Sequence, residues 1–128
     1  MFTKDNRTEI FLTQLGVAYS YTNKIKFHDL AAGWDGRNLG RPKPQNDEAI
    51  TEYAALMEGG SPAPAPILNA MEGGKYDVLD GVQRLCAARL VDTTTISGYV
   101  VATDSEVMLD TIRLVANLRL QGRQEPSE

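Results

Sequence analysis

GKYDVLDGVQRLCAARLVDTTTISGYVV, residues 74–101, is the stretch on which the fold turns. Tyr76-Asp77-Val78-Leu79 reads as a short strand, and Ile96 to Val101 as another. Between them, Val82 to Val91 sets Val82, Leu85, Cys86 and Leu90 at spacings of three and four, the period of a helix with an inward face. The joint between strand and helix is Asp80-Gly81-Val82-Gln83-Arg84. A glycine turn feeding a helix start can hold an anion, because the first N–H groups of a helix lack intrahelical partners. Arg84 falls in the first helical turn and can reach the same place.

Upstream of this unit, Ser61 to Pro66 alternates with proline and reads as stiff and extended. It leads into a strand, Ile67-Leu68-Asn69-Ala70, and Glu72-Gly73-Gly74-Lys75 forms a hairpin-type turn back into Tyr76. A helix from about Asp47 carries Ala49, Ile50, Tyr53, Ala54 and Met57 on one face and ends at Gly59-Gly60. Before it, residues 29–46 are rich in glycine, proline and basic side chains, and a long irregular segment of that kind is often functional. Val17, Tyr19, Tyr21, Ile25 and Phe27 keep one parity, as in a strand or strand pair with one buried face. Ile10, Phe11, Leu12 and Leu15 fit either a short helix or a strand. Downstream, Thr103-Asp104-Ser105-Glu106 reads as a capping box that starts a helix with Met108, Ile112 and Val115 on one face. The polar end, residues 121–128, reads as a loop approaching a further helix, which suggests that the natural protein continues.

Bulk properties bound the function. At 128 residues the chain is most simply one domain, and 42% hydrophobic content is enough for a core. No apolar run approaches the ~18–20 residues that span a membrane. The polar N-terminus is not a secretory signal, and one cysteine excludes an internal disulfide; both fit a cytoplasmic setting. A net charge of −4, from 13 basic and 17 acidic residues, argues against a broad grip on DNA by this segment. His28 is the only histidine, which leaves no zinc set and no Ser–His–Asp arrangement.

The order of these motifs, an arginine-containing loop, a helix, a Pro-Ile strand, GKYDVLDGxxRLxAA, IxxYVV and a helix ending in Ala-Asn, resembles the N-terminal domain of the ParB/sulfiredoxin superfamily over roughly Ile25 to Glu128. The resemblance implies an α/β (α+β) fold with a small mixed sheet and three to four flanking helices, residues 25–128 forming the domain and residues 1–24 a partly stranded extension. Partition ParB proteins carry Gly-Glu-Arg-Arg where this chain has Gly81-Val82-Gln83-Arg84, and Glu-Asn-x-Gln-Arg where it has Ala116-Asn117-Leu118-Arg119-Leu120. Their upstream arginine motif falls near Asn38 to Arg41. In that family these segments bind CTP, usually with Mg2+, in a nucleotide-gated clamp that works as a homodimer. A helix-turn-helix domain that reads DNA usually follows.

The resemblance therefore implies nucleotide contacts from Arg41, Gly81, Gln83, Arg84 and Asn117, with Asp80 and Asn117 toward the metal. It is closest to ParB-like regulators of bacteria, plasmids and phages with a DGxxR turn. The departures bear on function. Val82 and Gln83 stand where the family has Glu-Arg, so one phosphate-binding arginine is missing, and Ala116 stands where some members use Glu on the metal. The implied function is a CTP-binding regulatory domain in partition or transcriptional control, at most a slow CTPase. A phosphotransferase or nuclease-like enzyme using Asp80, and a protein-interaction module without a nucleotide, stand as alternatives. Val82 occupies the place of the sulfiredoxin cysteine, so that chemistry is not expected.

Each residue also has a structural account. Gly81 suits any strand-to-helix turn. Asp80 with Gln83 has the pattern of a capping box. Arg84 suits an exposed ion pair with Asp77 or Asp80. Arg37 and Arg41 suit solvated loop charges, Asn117 a C-cap, and Trp34 a plug beneath the long loop or a surface for stacking a base.

Overall fold

The computed structural model describes residues 2–35, 47–91 and 93–118. The loop carrying Arg37 and Arg41, and the segment from Arg119 to Glu128, lie outside the described residues.

The described chain is mixed α/β, with β1 (Phe2–Thr3), α1 (Asn6–Leu15), β2 (Tyr19–Lys26), α2 (Asp47–Glu58), β3 (Ala63–Pro64), β4 (Ile67–Ala70), β5 (Tyr76–Asp80), α3 (Val82–Leu90), β6 (Thr95–Val101) and α4 (Glu106–Ala116). Four strands form one sheet in the order β2-β6-β4-β5. Here β2 and β6 are antiparallel, β6 and β4 parallel, and β4 and β5 an antiparallel hairpin. The hairpin turn uses Gly73 and Gly74 at φ 78° and 76°, the left-handed region that glycine adopts at no steric cost. The proline-rich segment supplies β3, which pairs in parallel with β1.

The N-terminal residues are part of the same core. Phe2, Phe11 and Leu12 are buried together with Ile67, Leu68, Leu85, Ile96, Tyr99 and Ile112. The ambiguity over residues 6–15 resolves as a helix, with Phe11 and Leu12 inward and Ile10 out.

Two features fix the corner that matters for function. In the β4–β5 hairpin, Leu68 pairs with Val78 but Ile67 pairs with Asp80, so a bulge at Leu79 falls just before the turn. A bulge of this kind re-aims the following side chain, and Asp80 is buried at 6% exposure. At the other side, buried Asn69 holds the approach to α4. Its Nδ2 donates to the Thr103 carbonyl at 3.2 Å, and its Oδ1 accepts from the Thr103 N–H at 3.1 Å. With these bonds made, a buried amide is satisfied rather than costly, and α4 is packed against β5.

Three expectations about element edges and faces are corrected. Asp80 is the last residue of β5 and does not cap α3; the N-cap is Gly81, with no side-chain cap, so the Asp80–Gln83 capping box is absent. The N-cap of α4 is Ser105, whose hydroxyl accepts from the Met108 N–H at 3.2 Å, while Thr103 Oγ1 accepts from the Ser105 N–H. Leu90 is 66% exposed. The buried side of α3 runs instead through Leu85, Cys86, Ala87 and Ala88, whose alanines suit a helix packed against α2.

Candidate functional site

A cavity of about 540 Å³ opens where the β5–α3 corner faces α4. That volume is in the range of small-molecule sites. From the corner it is lined by Leu79, Asp80, Gly81, Val82, Gln83 and Arg84; from α4 by Asp110, Arg113, Leu114 and Asn117; and from α2 by Tyr53. Of the residues expected from the sequence, the structure brings Asp80, Gly81, Gln83, Arg84 and Asn117 to one cavity. Arg41 lies outside the described residues.

Gly81 makes the corner possible. Its φ is +104°, and a Cβ there would lie 2.9 Å from Pro66 Cβ and 3.0 Å from Arg84 Nη2. Any side chain would therefore be strained in backbone and crowded in space. With glycine at the N-cap, α3 has no side-chain cap of its own, and the helix start turns the positive end of its dipole and its first N–H groups toward the cavity.

Arg84 is 5% exposed, and its Nη2 donates to Asp80 Oδ2 at 3.3 Å. The expectation of an exposed pair is thus corrected: the pair is buried on both sides, at 5% and 5%. Burial of a guanidinium demands partners for its five donors. Yet Arg84 Nε has none among the described residues. That unmet donor on a cavity-lining arginine is the observation that most directly asks for an acceptor.

Across the cavity, Arg113 Nη2 donates to Asp77 Oδ2 at 2.7 Å and its Nη1 to Asp110 Oδ1 at 3.3 Å. Asn117 follows as the C-cap of α4 and is exposed. Two carboxylates and two guanidiniums thus face one another, and the described wall carries no net formal charge. Tyr53, Leu79, Val82 and Leu114 add an apolar part. Sequence reading missed Arg113, Asp110 and Tyr53. The signal for Arg113 was its place one helical turn before Asn117, which sets both on one face.

Metal ligation is sparse. Among the described residues, no group of three or more His, Cys, Asp and Glu side chains is placed to hold a metal. Magnesium needs no such cage, since it commonly takes one or two carboxylates together with phosphate oxygens. Asp80 and Asn117 share the cavity, which is compatible with that mode, although Asp80 is engaged with Arg84. Trp34 is not among the residues that line the cavity; it packs near Phe27, with Arg89 over its ring at 4.8 Å. His28 is an exposed residue beside Asp29.

No family model and no curated protein matches the chain. Solved structures do. The C-terminally truncated chromosome-partitioning protein ParB from Caulobacter crescentus, crystallised with CTP-γ-S, superposes with a TM-score of 0.53 at 11% identity. A Pnob8-like ParB-N domain superposes with a TM-score of 0.55 at 15% identity. Each match takes in 85% of this chain, against 56% of the first structure's chain and 41% of the second's, so the match spans about half the length of those chains. The fold is that of ParB N-terminal domains, as the motif order implied. No helix among the described residues is long and apolar enough to cross a membrane.

Proposed function

We propose that this domain binds a nucleotide, CTP by resemblance, and regulates a ParB-like DNA-binding protein in partition or transcriptional control. The observation that carries the proposal is the convergence on one cavity of a helix start with no side-chain cap and a buried arginine whose Nε has no partner among the described residues. Bare helix N–H groups and a guanidinium are the usual means of holding phosphate. In this reading Gly81 lets phosphate approach the backbone, Arg84 and Gln83 donate to it, and Asn117 reaches it from α4. Arg41 joins from the loop. Tyr53 and Leu114 offer apolar surface for the rest of the ligand. Mg2+, when bound, neutralises phosphate charge, with Asp80 and Asn117 as the side chains to hold it.

Binding would favour one association state of two copies, by differential affinity for that state. DNA would be read by a following helix-turn-helix domain, and the acidic segment 1–128 would bind DNA weakly by itself.

The test is a thermal-shift and calorimetric titration with CTP, ATP, GTP and UTP, each with and without Mg2+. A ligand at 100 times its Kd adds about 2.7 kcal/mol to stability. A CTP-selective shift supports the reading, and no shift with any nucleotide sinks it. Asp80→Asn with unchanged metal affinity would remove the metal role alone.

A further inference from the structure

We infer that Arg113 is an anion-binding residue of the cavity, and that Asp110 is a placeholder which the ligand's phosphate displaces. The inference rests on the nucleotide reading above and names a contact which that reading lacks.

The turn after Gly81 supplies Val82 and Gln83 before its single arginine. Arg84 has one donor committed to Asp80. A polyanion needs more positive charge than that corner offers. Arg113 lies on the facing helix, lines the same cavity, and is 40% exposed.

Its two carboxylates hold it unequally. Asp77 takes Nη2 at 2.7 Å, is itself only 33% exposed, and reaches across from β5. That is a short charge-assisted bond between elements, and it fixes the side chain. Asp110 takes Nη1 at 3.3 Å, is 74% exposed, and sits three residues away on the same helix. Such an exposed local pair is weak and screened by salt. The guanidinium fork can therefore keep Asp77 on one nitrogen while the other exchanges Asp110 for a phosphate oxygen. Asp77 acts as the tether, and the Nη1 edge as the reader.

The experiment is calorimetric titration of CTP and of inorganic triphosphate into the full chain, as wild type, Arg113→Gln, Arg113→Lys, Asp110→Asn and the Arg113→Gln/Asp110→Asn double variant. Arg113→Gln should weaken both ligands about tenfold or more, the worth of one charge-assisted hydrogen bond. Arg113→Lys should recover part of the loss, because charge returns without the fork. Asp110→Asn should tighten binding, and this gain should vanish in the double variant.

Wild-type affinity in Arg113→Gln would overturn the inference while leaving the nucleotide reading in place. So would an Asp110→Asn gain of equal size in both backgrounds, which is a general field effect, or no gain at all. Failure of the wild type to bind either ligand would overturn both. Should Arg113→Gln fold poorly through loss of the Asp77 pair, the exposed Asp110→Asn substitution still decides between gain and no gain.

Discussion

Helix α3 and helix α4 begin in opposite ways. At α4, Ser105 accepts from the Met108 N–H, and Thr103 accepts from the Ser105 N–H. At α3, the N-cap is a left-handed glycine and no side chain caps it. Helix α1 follows the α4 pattern, with Asp5 accepting from the Arg7 N–H and the Thr8 hydroxyl. At α1 and α4, which need only a helix start, the chain supplies an acceptor of its own. Where the start opens on a cavity, it supplies none, and it buries an arginine beside it. The difference separates donors used for stability from donors left for a ligand.

The most damaging way to break the comparison is Arg84→Ala. It leaves the Asp80 carboxylate buried without its arginine, and loss of one partner of a buried pair costs about 3–5 kcal/mol. Urea denaturation should show a shifted midpoint with an unchanged slope. Loss of ligand binding in this variant would not by itself assign Arg84 to phosphate, since stability and site fall together. The structural and the functional accounts of Arg84 are not rivals here: Asp80 accepts from Nη2, and Nε has no partner among the described residues.

Gly81→Ala comes next. The backbone at φ +104° and the Pro66 contact at 2.9 Å act together. Left-handed backbone with a side chain costs about 1–2 kcal/mol, and overpacking about 1–3 kcal/mol more. A loss of about 2–5 kcal/mol on urea denaturation is expected, with ligand binding lost as the corner shifts. A cost under about 1 kcal/mol would mean that the turn tolerates a Cβ and that close backbone approach is not its purpose.

How much of this was legible follows from sequence distance. Gly81, Arg84 and Asn117 could be read because a turn, a helix start and a helix end are local patterns. The helix from Asp47 and the β4–β5 hairpin were readable for the same reason. The start of α4 moved from Thr103 to Ser105 because Asn69, 34 residues away, holds the Thr103 backbone. The Asp80 cap failed because the bulge at Leu79 carries β5 through Asp80, paired with Ile67. Arg113 was missed because its shorter partner, Asp77, is 36 residues distant and meets it only when α4 packs on β5. Spacing reports on one element at a time, whereas these contacts belong to two.

Tyr99 sharpens the comparison from the capped side. It is fully buried, its hydroxyl donates to Glu9 at 2.7 Å and accepts from the Asp5 N–H at 2.7 Å, and so it ties the first turn of α1 to β6. Burial first, and then the Glu9 carboxylate, push its pKa well above the ordinary value of 10.0. The folded state therefore keeps a proton that the unfolded chain releases. The stabilisation is complete below pH 10, and it is lost progressively as pH rises from there toward the folded pKa. Tyr99→Phe should cost about 1.5–3 kcal/mol at neutral pH, the worth of a hydrogen bond to a charged group. Its stability should also fall less steeply than wild type above pH 10. Parallel alkaline limbs in the two proteins would show that other groups set that dependence.

Ser105→Ala is the mildest break and the cleanest control. It removes the acceptor for the Met108 N–H and should cost about 1 kcal/mol of stability. Nucleotide affinity should not change beyond what partial unfolding explains, because Ser105 does not line the cavity and Asn69 still holds the turn. Calorimetry at a temperature where both proteins are fully folded separates the two quantities. A marked loss of affinity would mean that the start of α4 governs the placing of Arg113 and Asn117. The capped and uncapped helix starts would then be two parts of one ligand-sensing device rather than a scaffold and a site.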